Sequence, residues 1–238
     1  MAVKVAALYS GGKDSTFALQ ESLLKGFEVR CLIILQPARP DSWMFHYPNI
    51  AWTRLQAAAL RIPAIFWKTS GEKEKELEDL RAALLKAIEK YNIEGVVSGA
   101  LCSDYQRMRI ALVCEELGLK SYTPFWRKDQ KKYMQELLKA GIEFIITSIT
   151  CYGLPLEYLG KVITWKELEN LLELAEKYSF NPAFEGGEAE TFVIYAPVFS
   201  AKIKILEAET VRISEHEGYY IIRAATLEQA STAPAAGD

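Results

Sequence analysis

Residues 3–16 read Val-Lys-Val-Ala-Ala-Leu-Tyr-Ser-Gly-Gly-Lys-Asp-Ser-Thr. The first six have the length and β-branched character of a buried strand, and an apolar helical face follows that ends at Gly26. The pair Gly11 and Gly12 therefore lies at a strand-to-helix junction. Because glycine has no side chain, the backbone N–H groups there can close on an anion, and a helix start adds partial positive charge. The stretch predicts a phosphate-binding loop.

Two common phosphate-binding motifs do not fit this loop. A Walker A loop needs glycine where Ala7 stands and Ser or Thr where Asp14 stands, and a Rossmann fingerprint needs a third glycine. The sequence Ser-Gly-Gly-Lys-Asp-Ser at 10–15 instead resembles the PP-loop of ATP pyrophosphatases, which cleave ATP between the α and β phosphates. A tight turn without a ligand is the alternative. The two serines and the lysine favour phosphate binding.

The composition is that of an ordinary globular protein. The chain has 238 residues, 50% hydrophobic and 25% charged, with a net charge of -3. It has no overall basic field for nonspecific nucleic-acid binding and no apolar stretch near the ~20 residues that span a bilayer. Four cysteines stand without metal-site spacing. We expect a cytoplasmic protein with no membrane segment and no direct nucleic-acid partner.

Strands and helices alternate over the first half of the chain. Further strands are predicted at 27–35, 64–67, 95–99 and 120–123, and helices at 50–60 and 72–91. This alternation predicts an α/β fold, a Rossmann-like (HUP-type) doubly wound parallel five-stranded sheet, over residues 1–127. A proline-rich loop at 37–49 should lie at the carboxyl edge of the sheet, either as a flap over a nucleotide or packed on the core.

The second half predicts a smaller α+β domain over residues 128–228. Asp129 can cap a helix that ends at Gly141, and Thr164 with Glu167 forms a possible capping box. Strands are expected at 144–148, 193–198, 202–213 and 219–223. Residues 231–238 are small and carry no capping signal, and we expect a disordered tail over residues 229–238.

Two further stretches carry candidate site residues. Residues 99–109 follow the fourth strand, and they bring Gly99, polar groups and arginines to the edge that holds the opening loop. A helix cap with surface arginines is the alternative there. In the glycine-acid stretch 184–192 we expect three glutamates, Glu185, Glu188 and Glu190, to converge from a turn, where they could hold Mg²⁺, act as a base or receive a cation. A solvated acidic loop is its alternative.

Together these motifs resemble the diphthine-ammonia ligase family, archaeal branch, within the PP-loop ATP pyrophosphatase superfamily. The resemblance covers essentially residues 1–225. It rests on five segments, which are Ser-Gly-Gly-Lys-Asp-Ser (10–15), Asp-Ser-Trp-Met-Phe-His (41–46), Gly-Ala-Leu-Cys-Ser-Asp-Tyr-Gln-Arg (99–107), Pro-Phe-Trp-Arg (124–127) and Glu-Gly-Gly-Glu-Ala-Glu-Thr-Phe (185–192). The last segment, in its order after the others, is the most specific.

The resemblance implies a reaction on a protein partner. Diphthine is a modified histidine of translation elongation factor 2 that bears a carboxylate and a trimethylammonium group. In the implied reaction Mg²⁺ and ATP adenylate the carboxylate with release of pyrophosphate, and ammonia then displaces AMP to give the amide, diphthamide. The implied cofactors are therefore ATP and Mg²⁺, and the implied partners are elongation factor 2 and ammonium.

The resemblance also implies roles for individual residues. The loop would bind ATP, with Lys13 neutralising the departing pyrophosphate and Asp14 orienting the loop or a metal water. Glu188 joins these two as a catalytic candidate. Candidates for nucleotide binding are Ser10, Gly11, Gly12, Lys13, Asp14, Ser15 and Gly99. Candidates for binding diphthine, with Trp126 or Tyr105 facing the trimethylammonium, are His46, Asp104, Tyr105, Arg107, Trp126, Glu185, Gly186, Gly187, Glu188 and Glu190.

Two other functions stay open at this level. One is a different PP-loop ligase, for example one that modifies tRNA, and the other is a non-catalytic module that binds ATP or AMP. The sequence leaves the oligomeric state open, a homodimer included.

Overall fold

The computed structural model describes residues 2–37, 49–69 and 75–229. These residues form two sheets, one parallel and one antiparallel, each with its own helices. Residues 38–48 of the predicted loop, His46 included, and all but the first residue of the predicted tail lie outside the described residues. No helix of the described part is long and apolar enough to cross a membrane.

The first sheet is parallel, and its strands stand in the order β3-β2-β1-β4-β5. It confirms the predicted α/β fold. The order reverses between β1 and β4, and ligands of such sheets bind in the crevice outside the carboxyl ends at that point. Its elements are β1 (Lys4–Leu8), α1 (Lys13–Leu24), β2 (Glu28–Pro37), α2 (Thr53–Leu60), β3 (Ala64–Thr69), α3 (Lys75–Tyr91), β4 (Gly95–Val97), α4 (Asp104–Glu116) and β5 (Lys120–Tyr122).

The second sheet is antiparallel, in the order β7-β6-β9-β8. Both helices of this half begin where the sequence predicts. Asp129 accepts a hydrogen bond from the backbone N–H of Lys132 at 2.8 Å, and Thr164 and Glu167 form the capping box. The elements are α5 (Gln130–Lys139), β6 (Glu143–Ile149), α6 (Trp165–Tyr178), β7 (Ala189–Tyr195), β8 (Ala201–Arg212) and β9 (Gly218–Gln229).

Two boundaries of the second sheet differ from the prediction. Strand β7 begins at Ala189, four residues before the predicted start, because Ala189 to Phe192 pair with β6. The sequence pattern missed the start of this strand because Glu190 and Thr191 are polar. Glu190 therefore lies on β7 rather than in a turn. Strand β9 continues to Gln229, which pairs with Ala201 of β8. The predicted start of the tail at residue 229 is therefore wrong.

One hydrophobic core joins the two halves of the chain. Phe17 of α1 stacks on Phe125 at 4.2 Å between ring centroids and lies 5.7 Å from the ring of Tyr133 on α5. All three side chains are at most 6% exposed. The apolar face of α1 is therefore held by both sheets, which fixes the start of α1 relative to the antiparallel sheet. The domain boundary after residue 127 stays a prediction.

Candidate functional site

The larger of two neighbouring cavities lies at the switch point of the parallel sheet. Its volume is about 960 Å³, and both sheets contribute to its wall. The parallel sheet contributes the opening loop at the end of β1 and residues 98–100 after β4. The antiparallel half contributes the residues of the segment 184–191 other than Glu188, and residues at the turn between β8 and β9. The two stretches singled out in the sequence thus face one space.

The opening loop is built as an anion cradle. Helix α1 begins after Gly12 without a side-chain cap, so its first turn relies on other acceptors for its N–H groups. Ser10 and Ser15 close the loop, because the Ser10 backbone N–H and the Ser15 hydroxyl lie 3.2 Å apart. The Ser15 hydroxyl also donates to the Gly12 carbonyl at 3.1 Å. The positive end of the helix dipole therefore faces the cavity.

Gly99 lets β4 approach this loop closely. A Cβ atom at position 99 would lie 2.6 Å from the carbonyl carbon of Asp14 and 2.7 Å from the backbone nitrogen of Ser15. These are backbone atoms of the first turn of α1, which a side chain could not push aside cheaply. The absence of a side chain at Gly99 thus allows the two edges of the crevice to come into contact.

Lys13 is enclosed between the loop and the antiparallel half. Its side chain is 3% exposed, and its ammonium group donates to the two carboxylate oxygens of Asp14 at 3.0 and 2.8 Å and to the carbonyl of Ala183 at 2.7 Å. Tyr133 of α5 donates to Asp14 Oδ1 at 2.8 Å. Burial, and secondarily the Asp14 charge, raises the pKa of Tyr133 well above its ordinary value, so this hydroxyl stays a donor.

The antiparallel sheet also holds the backbone of the loop. The Val193 N–H donates to the Gly11 carbonyl at 2.9 Å, and the Lys13 N–H donates to Thr191 Oγ1 at 3.1 Å. Gln56 of α2 donates from Nε2 to the Gly11 carbonyl at 2.9 Å. Gly11 is not among the cavity-lining residues, and its carbonyl is held by β7 and α2. Its contact with phosphate stays a prediction.

Glu185 connects the acidic segment to the stretch after β4. Its carboxylate accepts a hydrogen bond from the Cys102 backbone N–H at 2.7 Å, and it lines the cavity. Burial raises the pKa of this carboxyl, and the nearby Asp14 charge raises it further. Lys13 and the backbone N–H groups of residues 101 and 102 act in the opposite direction. Glu185 thus lies close to the charges of the loop.

The other two glutamates, Glu188 and Glu190, line different cavities. Glu188 accepts hydrogen bonds from Gly186 N–H at 2.8 Å and Asn181 N–H at 3.0 Å, which folds its carboxylate onto its own segment. It lines a second cavity of about 750 Å³ and is not among the residues of the larger one. Gly186, Gly187 and Glu190 line the larger cavity. The three glutamates therefore do not all line one cavity, contrary to expectation; Glu185 lines both cavities.

The aromatic candidates already contact arginines. The Arg107 guanidinium lies 4.5 Å from the Trp126 ring centroid, and the Arg109 guanidinium lies 3.6 Å from that of Tyr105. Tyr105 lines the larger cavity, whereas Asp104, Arg107 and Trp126 are not among its residues. Asp104 lies 3.7 Å from Arg107 across an exposed ion pair. The residue that caps α4 is Ser103, whose hydroxyl accepts from the Gln106 N–H at 3.3 Å.

Asp14 is the loop residue suited to a magnesium ion. Within the described ranges, no three His, Cys, Asp or Glu side chains are grouped to hold a metal. Magnesium in nucleotide sites is commonly held by phosphate oxygens and one or two carboxylates. A carboxylate has about four lone-pair positions, and Asp14 uses three on Lys13 and Tyr133. One position remains, so the side chain fits a single-carboxylate contact.

Comparison with known proteins identifies the family. The family model described as "Diphthamide synthase N-terminal domain" matches residues 3–121, and the "Diphthamide synthase C-terminal domain" matches residues 129–227. The chain belongs to the diphthine-ammonia ligase family. A relative from Bos taurus named "Diphthine--ammonia ligase" is 34% identical over 231 residues, with 88% of this chain and 85% of the relative covered. A human relative of the same name is 32% identical, with the same coverage.

Other similarities are partial or weak. A diphthine-ammonia ligase of Schizosaccharomyces pombe is 33% identical over 92% of this chain, which corresponds to 39% of that longer protein. A solved structure described as a predicted subunit of a tRNA methyltransferase from Methanocaldococcus jannaschii covers 82% of this chain and 98% of its own. Its identity is 14% and its TM-score 0.43, too low to inform function. Membership of the ligase family therefore rests on the sequence matches.

Proposed function

We propose that the protein amidates the diphthine carboxylate of translation elongation factor 2, with ATP as the activating substrate and ammonia as the nitrogen donor. One observation carries the proposal: the loop of residues 10–15 and the segment 184–190 line one cavity, in a chain of the diphthine-ammonia ligase family. The curated relatives favour this function over a tRNA-modifying ligase or a nucleotide-binding module.

The reaction has two balanced steps. In the first, a carboxylate oxygen attacks the α-phosphorus of ATP, the bond from that phosphorus to the bridging oxygen breaks, and pyrophosphate leaves with the electron pair. In the second, the ammonia nitrogen attacks the acyl carbon, AMP leaves, and the nitrogen loses a proton. Activation is required because a carboxylate is a poor acyl donor, whereas the mixed anhydride carries a good leaving group.

The loop residues would stabilise the departing pyrophosphate. Ser10, Gly12 and Ser15 line the cavity beside the start of α1 and offer hydroxyl and N–H donors. Lys13 supplies the positive charge, and its contact with Ala183 ties that charge to the segment beside the acyl substrate. Donors fixed in advance where negative charge develops lower the barrier most effectively.

Asp14 would hold Mg²⁺ through its remaining lone-pair position. When bound, the ion would offset the negative charge of the phosphates. Asp14 also keeps Lys13 in place through two short contacts, so it serves the loop whether or not the ion is present.

The nucleoside and the diphthine end would occupy opposite sides of the cavity. Leu8, Ile33, Leu35 and Ile110 give an apolar wall that suits the flat face of adenine. Glu185 and Glu190 give the antiparallel side a negative character that would attract the trimethylammonium group. Glu188 would shape the turn at Gly186 and Gly187 through its two backbone contacts.

The remaining substrate-binding candidates enter at the rim. Tyr105 lines the cavity, while Arg107, Asp104 and Trp126 form a neighbouring cluster outside it that would contact the protein substrate. His46 stays a candidate by resemblance alone.

Incubation with ATP, Mg²⁺, ammonium and diphthine-bearing elongation factor 2, followed by mass analysis of the factor, tests the proposal. We expect the carboxyl OH to be replaced by NH₂ only when both ATP and ammonium are present. Elongation factor 2 that lacks diphthine is the matched control and should release no pyrophosphate. No change in the diphthine-bearing factor, or pyrophosphate release that instead depends on tRNA, would contradict it.

A further inference from the structure

Gln56 of α2 is a buried polar residue that the motif does not include. Its side chain is fully buried, and Nε2 donates to the Gly11 carbonyl at 2.9 Å and the Val193 carbonyl at 2.8 Å. The two carbonyls fix the orientation of the amide, since the opposite orientation would set Oε1 against both of them. Oε1 itself is buried without a hydrogen-bond partner in the described structure. A buried acceptor without a partner lowers the stability of the fold, so its retention is expected only where the amide has a function.

The contact with Gly11 fixes the direction of a peptide group. In a trans peptide the C=O of one residue and the N–H of the next point in opposite directions. Because Gln56 and Val193 hold the Gly11 carbonyl on the antiparallel side, the Gly12 N–H is turned the other way. The Gly12 N–H donates a long hydrogen bond to Ser10 Oγ at 3.4 Å, on the side of the loop that lines the cavity.

The conformation of Gly11 depends on the same contact. Gly11 has a φ of +83°, which favours glycine, and a Cβ atom there would lie 2.3 Å from Gln56 Oε1. Gln56 thus fills the space that a side chain at position 11 would need. Gln56 is not among the cavity-lining residues, so any effect on chemistry passes through the loop backbone.

We propose that Gln56 is a positioning residue that holds the Gly11 peptide so that the Gly12 N–H faces the pyrophosphate as it leaves. The inference rests on the proposed ligase function for its catalytic consequence, though its effect on phosphate binding can be measured separately. Gln56, a residue of α2, would thus support the loop of residues 10–15 from outside the loop's own sequence motif.

Gln56→Met tests the proposal, with Gln20→Met as the matched control. Gln20 is 4% exposed, donates from Nε2 to the Ala140 carbonyl at 2.9 Å, and also has a buried Oε1 without a partner in the described residues. Both changes therefore remove one buried amide and keep the side-chain length. Only Gln56 contacts the loop.

The decisive readout is the split between kcat and the KM for ATP in pyrophosphate release. We expect kcat of Gln56→Met to fall about tenfold or more below that of Gln20→Met, with a smaller change in KM, because a donor aimed at the leaving group acts mainly in the transition state. Thermal unfolding should show similar losses of stability in both variants. Equal kcat values in the two variants would overturn the proposal.

Two measurements cover other outcomes. If the wild type does not amidate diphthine, the ligase proposal fails, but the role of Gln56 can still be tested by calorimetric binding of inorganic pyrophosphate. Weaker binding by Gln56→Met than by Gln20→Met supports the role, and equal binding overturns it. If Gln56→Met does not fold, Gln56→Glu replaces it. A neutral carboxyl keeps one donor and an ionised one has none, so pyrophosphate affinity relative to wild type should fall as pH rises, whereas a constant ratio overturns the role.

Discussion

Replacement of Gly99 by alanine separates the packing of the crevice from its chemistry. The new Cβ would lie 2.6 Å from the Asp14 carbonyl carbon, whereas ordinary contacts begin at 3.4 Å, so β4 and the start of α1 must separate by about 0.8 Å. Overpacking of this kind costs about 1–3 kcal/mol of unfolding free energy. A displacement near 1 Å between reacting groups lowers rates by up to about 10²-fold. We expect both effects in Gly99→Ala.

Gly95→Ala, at the start of the strand that precedes Gly99, is the matched control. Its Cβ would lie 2.8 Å from the Lys120 carbonyl, a comparable backbone clash at the end of β4 away from the loop. Urea unfolding should show similar losses of stability for the two variants, while pyrophosphate release at saturating ATP should fall much further in Gly99→Ala. Equal rates in the two variants would refute the assignment of Gly99 to the nucleotide site.

Three other changes test separate parts of the site. Lys13→Met should abolish pyrophosphate release, because the enclosed ammonium is the loop's positive charge; Lys25→Met, at the exposed end of α1, is its control, and near-normal release by Lys13→Met would remove Lys13 from the mechanism. Glu188→Gln should spare ATP binding, measured by calorimetry, and slow amide formation, since Asn181 N–H and Gly186 N–H donate to different carboxylate oxygens and an amide has an acceptor at only one of those positions; loss of ATP binding would instead assign the segment to the nucleotide site. Glu185 has a raised pKa in the folded state, so its ionisation opposes folding. The unfolding free energy of wild type relative to Glu185→Gln, measured by urea unfolding, should therefore decline as pH rises from the ordinary glutamate pKa through the raised one. A difference between the two proteins that does not change with pH would contradict this.

The parallel sheet could be predicted because its signals are local. The strand-loop-helix pattern at 3–16 and the later alternation of strands and helices specify the βα units without knowledge of tertiary contacts. The capping signals at Asp129 and Thr164 are likewise short-range and were confirmed. Where one backbone turn and a few neighbouring side chains decide the structure, the sequence suffices.

The assembly of the site depended on contacts between distant residues. Thr191 lies 178 positions from Lys13, and Tyr133 lies 119 positions from Asp14, so no local pattern pairs them. The polar residue Gln56 within the apolar helix sequence Leu-Gln-Ala-Ala-Ala-Leu at 55–60 was the available signal for a buried contact. It identifies a residue that needs a partner but does not say which one.

The role of Tyr105 and Trp126 as cation-binding rings stays a prediction, and the structure adds a contact to each ring that the sequence did not reveal. Tyr105 and Trp126 are aromatic residues near a predicted crevice, and the sequence suggests that they face a ligand cation. In the structure, Arg109 and Arg107 of the same helix, four residues or fewer from Tyr105, occupy positions over the two rings. A cation already on the chain satisfies the ring without any ligand.

We propose that ATP is cleaved between the α and β phosphates to form an acyl-adenylate at the loop of residues 10–15. The most direct test places a heavy-oxygen label in the diphthine carboxylate and follows it through one turnover with ATP and ammonium. One labelled oxygen should leave in the phosphate of AMP, with unlabelled pyrophosphate as the other product. Label in orthophosphate, with ADP as the nucleotide product, would contradict it.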